Sequence, residues 1–168
     1  MAGEQQAAAA QRDPAVPLGL ERRGLGQVAL DRFYDRWKGE GLVLDKWFAI
    51  QASAPAPDAL ERIRKLVDHP AYDRKNPNKV RALIGALAGG NPVRFHDASG
   101  SGYRFLADQV ISTDKFNPQV AARLVGPLGR WRRYDKPRQA LMKAELQRIV
   151  SEPGLSKDVF EIASKSLA

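Results

Sequence analysis

The chain has 168 residues, 43% of them hydrophobic, which suits one domain able to bury a sizeable core without cross-links. It has no cysteine, so disulfides and thiolate-metal sites are excluded and a reducing cytoplasm is the expected compartment. The formal net charge of +8 directs attention to acidic partners, while no apolar run approaches the roughly 18–20 residues that a membrane span needs.

Residues 1–20, rich in alanine and glutamine and broken by Pro14 and Pro17, are expected to form a flexible lead-in to a domain at 21–168. The acid at Glu4 and the absence of a charged-then-apolar pattern argue against a secretion signal. From about Leu25 the pattern turns helical: Val28, Leu30, Phe33 and Trp37 supply apolar positions, and Gly39 or Gly41 ends the run. Leu42 to Ala52 is so apolar that it predicts a buried helix. After the connector SAPAPD, Asp58 is the expected cap of the next helix, which His69-Pro70 closes.

Asn76-Pro77 begins another helix, with Val80, Leu83, Ile84 and Leu87 on one face and Gly89-Gly90 as its stop. Asn91-Pro92 opens a short helical turn. The glycine-serine loop 97–102 is expected to be a flexible connector into a helix over 103–111. Asn117-Pro118 starts the stretch NPQVAARLVGPLGRWRRYDKPR, whose proline at 127 predicts a kink. Lys136-Pro137 restarts the chain, and Ser156 caps the last helix. Together these elements predict an all-α protein: an irregular, superhelical α-solenoid of armadillo/HEAT-like type with about 7–9 helices.

Candidate chemistry is sparse. His69 and His96 are the only imidazoles, neither lies in a metal-binding motif, and we expect no metal site in this chain. No nucleophile elbow or phosphate loop is present. Positive charge clusters at Arg123, Arg130, Arg132, Arg133, Lys136 and Arg138, but no RNA-binding aromatic signature accompanies it, so a nucleic-acid role is the weaker alternative.

Within 117–138, Val120, Ala121, Leu124, Val125, Leu128 and Trp131 fall on one side of a helix. Gln119, Arg123, Arg130 and Tyr134 make a polar stripe opposite. A glutamine and an arginine one turn apart at a helix N-terminus are placed to receive a carboxylate or a peptide carbonyl. Arg81, at the border of its own apolar face, can reach round into a cavity.

At these residues a resemblance appears. DKWFAIQA at 45–52, NPNKVRALIGALAGGNPVRFH at 76–96, GSGYRFLADQV at 100–110, NPQVAARLVGPL at 117–128 and RYDKPRQALMKAELQ at 133–147 resemble the C-terminal helical domain of bacterial aminopeptidase N, a family of thermolysin-like zinc enzymes. The resemblance runs from about Leu25 to Ala168. It implies a domain that covers a catalytic domain, contacts the parent's β-sandwich and closes the active site into a chamber. Gln119 is similar to a residue lining the pocket for the substrate's first side chain, and Arg123 and Arg81 to arginines meeting the peptide further along. The zinc ligands and general base of the family are missing, so the chain alone is expected to be inactive, with zinc held elsewhere in the parent.

Overall fold

The computed structural model describes residues 18–168, with side chains from residue 26 onward. The lead-in expected at 1–20 lies outside the described residues up to residue 17. Among the described residues there are nine helices and no strand, as the sequence predicts. The chain divides after Arg36 into two units. The first contains most of α1 (Leu18–Trp37), which begins ahead of the expected Leu25 and carries a Gln27–Asp31 hydrogen bond of 2.8 Å one turn apart.

The second unit is built from helices whose starts are chemically marked. All three Asn-Pro pairs act as read: each proline takes the first turn, where its missing N–H costs nothing, and each asparagine accepts a backbone N–H. Asn76 thus opens α4, a continuous helical run over 77–90, by accepting from Asn78 N–H at 2.9 Å. Asn91 opens α5 (Pro92–Phe95), and Asn117 opens α7 (Pro118–Gly129) by accepting from Val120 N–H at 3.2 Å. Asp135 and Ser156 cap α8 (Lys136–Val150) and α9 (Lys157–Leu167) in the same manner. The remaining elements are α2 (Gly41–Ser53), α3 (Ala59–Val67) and α6 (Ser101–Asp114).

Helices α2, α3 and α4 pack on one another, and α6, α7, α8 and α9 pack on one another, with α5 leading into α6. Apolar residues at helical spacing fill both groups: Trp47, Phe48, Ile63, Leu83 and Leu87 in the first, Leu106, Val125, Leu128, Met142 and Leu146 in the second. Sequential helices stacked on their neighbours give the irregular solenoid predicted above.

Several local expectations are corrected. The helix over 41–53 is buried on one face only; Leu42 and Ile50 are 77% and 63% exposed. Asp58 does not cap α3 through its side chain but pairs with Arg62 at 3.0 Å. The loop at 97–102 is packed and not a loose connector. Gly100 sits at φ 69°, a left-handed geometry that favours glycine, and a Cβ on Gly102 would lie 2.4 Å from the Phe95 carbonyl oxygen.

The stretch 117–138 is not one helix with a kink. Pro127 leaves the carbonyl of Arg123 without its helical donor, α7 ends just beyond at Gly129, and a short 3-10 turn, Trp131–Arg133, follows. Arg130 and Tyr134 therefore leave the expected stripe. Trp131 is half-buried, its indole N–H donating to the Ser166 carbonyl at 2.8 Å. Tyr134 instead joins His96 and Tyr103. The His96 ring nitrogens meet the Tyr103 and Tyr134 hydroxyls at 2.8 and 2.9 Å, and Arg138 Nε donates to the His96 carbonyl at 2.7 Å. Burial pushes the Tyr103 hydroxyl up to about 12.

Two predictions follow from these networks. Asn91 is 1% exposed and its amide donates to the carbonyls of Ala52 and Ala54, so Asn91→Ala should lower unfolding free energy in urea by about 2–4 kcal/mol. For His96, burial and then the nearby Arg138 guanidinium hold its pKa below the ordinary imidazole value. The unfolded chain therefore takes up that proton first as pH falls. Stability conferred by the neutral ring is intact above about pH 6.5 and is lost as pH falls below it. The urea midpoint should drop between pH 8 and pH 5, and drop less in His96→Gln; identical drops would remove His96 as the source, since His69, also held low by burial, is common to both proteins.

Candidate functional site

The middle of α4, Arg81–Gly85, is π-helical: the Ala86 N–H reaches back to the Arg81 carbonyl. A π turn is wider than an α turn and re-aims the side chains within it. Val80, Leu83, Ile84 and Leu87 still point into the core, and all four are buried as predicted. The other face presents Pro77, Arg81, Gly85 and Ala88, at spacings of about one turn, to a groove of about 300 Å³. Across the groove α7 presents Val120, Arg123, Leu124 and Pro127, again one turn apart. Arg81 and Arg123 thus come from helices far apart in sequence and line one cleft whose walls are otherwise chiefly carbon.

Both arginines are exposed, and neither forms an ion pair among the described residues. Arg81 donates to the Asn78 side-chain oxygen at 3.2 Å, which uses one of its five N–H groups. That contact steadies the guanidinium while leaving donors for a ligand. Their charges meet neutral surroundings, and the obvious ligand chemistry is a carbonyl or carboxylate.

Gln119 is not in this groove. It is exposed in the first turn of α7 and lines a second groove, of about 310 Å³, with Ala122, Arg123, Asp158, Glu161 and Ile162. Arg123 is common to both grooves. The structure therefore joins Arg81 to Arg123 and Gln119 to Arg123, but it does not place all three on one cleft. Asp158 and Glu161 went unread in the sequence, where they look like ordinary charges on the solvent face of a terminal helix. Gly85 and Ala88 went unread too, although their one-turn spacing from Arg81 was the available signal.

The residues do not fit a metal. No group of three or more histidine, cysteine, aspartate or glutamate side chains gathers among the described residues. His96 spends both ring nitrogens on tyrosines, and His69 Nδ1 accepts the Ala71 N–H at 3.1 Å. No described helix is long and apolar enough to cross a membrane.

Comparisons with known proteins point one way. The chain is 56% identical over 92% of its length to Aminopeptidase N of Caulobacter vibrioides. It is 50% and 45% identical, over 83% of its length, to Aminopeptidase N of Haemophilus influenzae and of Escherichia coli. It spans only 18%, 16% and 16% of those three proteins. Among solved structures it resembles Legionella pneumophila aminopeptidase A in complex with aspartic acid, with a TM-score of 0.83 and 41% identity over 89% of this chain and 17% of that one. The family model described as "Domain of unknown function (DUF3458_C) ARM repeats" matches residues 19–168. Helical from end to end of that match and similar throughout it to aminopeptidases, the chain belongs to the DUF3458_C family of ARM-repeat domains.

Proposed function

We propose that this chain is the C-terminal helical domain of a zinc-dependent aminopeptidase N, which caps the catalytic domain, encloses the active-site chamber and helps bind the peptide whose N-terminal residue is removed. The domain is assigned to residues 21–168, with 1–20 as lead-in, and the enzyme to the cytoplasm. The observation that carries the reading is the pair Arg81 and Arg123, two exposed guanidinium groups without ion pairs on facing walls of one groove. Similarity to aminopeptidases supports it.

In the assembled enzyme the catalytic domain and its β-sandwich neighbour are the partners of this chain. Zinc, held by the catalytic domain, would polarise the scissile amide and activate water there. The residues of this chain do different work. Guanidinium groups facing water attract a carbonyl weakly, because solvent and salt screen them. Covered by a second domain, the same groups act through a lower effective dielectric and hold the downstream part of a peptide more firmly. Gln119 offers an amide donor and an acceptor beside Arg123, suited to a neutral substrate group near the first residue. The lid as a whole excludes long or folded substrates.

Two measurements test this. Adding the chain to an aminopeptidase N truncated of this portion should restore or reshape peptide cleavage; unchanged activity with no binding between the two would overturn the assignment. In the assembled enzyme Arg123→Ala should reduce kcat/KM roughly tenfold for peptides of several residues and less than about twofold for a small amide reporter. Equal losses on both substrates would remove Arg123 from the downstream wall.

A further inference from the structure

The groove between the π turn and α7 has a depth that depends on one position. At Gly85 no side chain intervenes between Arg81 and the floor: an added Cβ would meet only Arg81, its Cγ at 3.5 Å and its Cβ at 3.8 Å. The backbone there is ordinary helix, with no positive φ, so nothing in the chain's own geometry demands glycine. A methyl group fits at ordinary contact distance. A larger side chain would occupy the cleft itself and displace the aliphatic stem of Arg81. Glycine here is the residue that leaves the space open.

That space has a definite chemical character. Its walls are the carbon surfaces of Pro77, Val120, Leu124 and Pro127, and its charged groups are Arg81 and Arg123. Its volume, about 300 Å³, is at the small end of ligand sites, which run from roughly 300 to 1,000 Å³. One residue with an aliphatic side chain fits such a cleft; a folded segment does not. Apolar walls reward burial of a branched side chain, and guanidinium groups reward an adjacent carboxylate.

We propose that this groove seats the C-terminal residue of a short peptide, aliphatic side chain against the apolar walls and free carboxylate toward Arg81 and Arg123, and that Gly85 sets the largest side chain it admits. The assignment rests on the reading of the domain as a wall of a peptide chamber, but it is testable on this chain alone. The carboxylate belongs to the last residue, so the site selects peptides short enough for their end to reach it. Longer peptides would present only a neutral backbone carbonyl there.

The test is an amide-resonance titration of the full chain with three probes: N-acetyl-leucine, its C-terminal amide and N-acetylglycine. N-acetyl-leucine should shift the Gly85, Ala88 and Val120 resonances and bind roughly tenfold more tightly than either of the others. Gly85→Leu should abolish that preference, and Gly85→Ala, which the backbone accommodates, should weaken it severalfold while circular dichroism stays unchanged. Equal binding of acid and amide would overturn the carboxylate assignment. Unchanged selectivity in Gly85→Ala and Gly85→Leu, or no shifts in the groove, would overturn the role of Gly85 and the site. Loss of binding here with successful complementation of the truncated enzyme would sink this inference alone. Intact binding with failed complementation would sink the chamber reading instead.

Discussion

Asn91 holds the end of one helix and the beginning of another in a single network shut away from water. Its amide group donates to the carbonyls of Ala52 and Ala54, at 2.9 and 2.8 Å, which are among the carbonyls that α2 leaves without partners at its C-terminus. Its oxygen accepts the Arg94 N–H at 3.3 Å and starts α5. Arg94 extends the tie by donating to the Pro55 carbonyl at 3.2 Å. A buried amide must satisfy donors and acceptor at once, so the geometry of all three segments is fixed together. The groove depends on that constraint, because α4 ends at Gly90, directly before Asn91.

The helix starts were legible because capping is local chemistry. Asn76, Asn91 and Asn117 need only the next three residues to do their work, and the proline after each can be read from the chain. The core was legible for a similar reason: Val80, Leu83, Ile84 and Leu87 share a face by spacing alone. The end of α7 was less so. The positions of Trp131 and Tyr134 fit a continued helix, but Trp131 is drawn to the Ser166 carbonyl and Tyr134 to His96, partners distant in sequence.

The candidate site divides along the same line. Arg81 and Arg123 were individually readable as arginines at the borders of helices, and family resemblance singled them out. That they share one groove is a fact of packing between α4 and α7, and no spacing encodes it. Gln119 was read with Arg123 because four residues separate them, and they do share a groove, though a different one, with carboxylates opposite. The π turn had no signal in the sequence. Nothing in RALIG distinguishes it from a good α-helical run, so the extra width must come from the demands of neighbours on both sides.

That width makes chain length at one spot a structural quantity. Each α-helical residue advances the helix by about 100°, and a π turn absorbs one residue more than an α turn over the same arc. Deleting a single residue between Arg81 and Gly85 would let the turn relax to α geometry, a locally comfortable outcome. Everything beyond it would swing by about a quarter turn or be dragged back at the cost of packing. Leu87 would leave its pocket and Asn91 would lose aim at the end of α2. A bulge that looks like slack is thus a phase-setter, keeping two ends of one rod facing their separate neighbours.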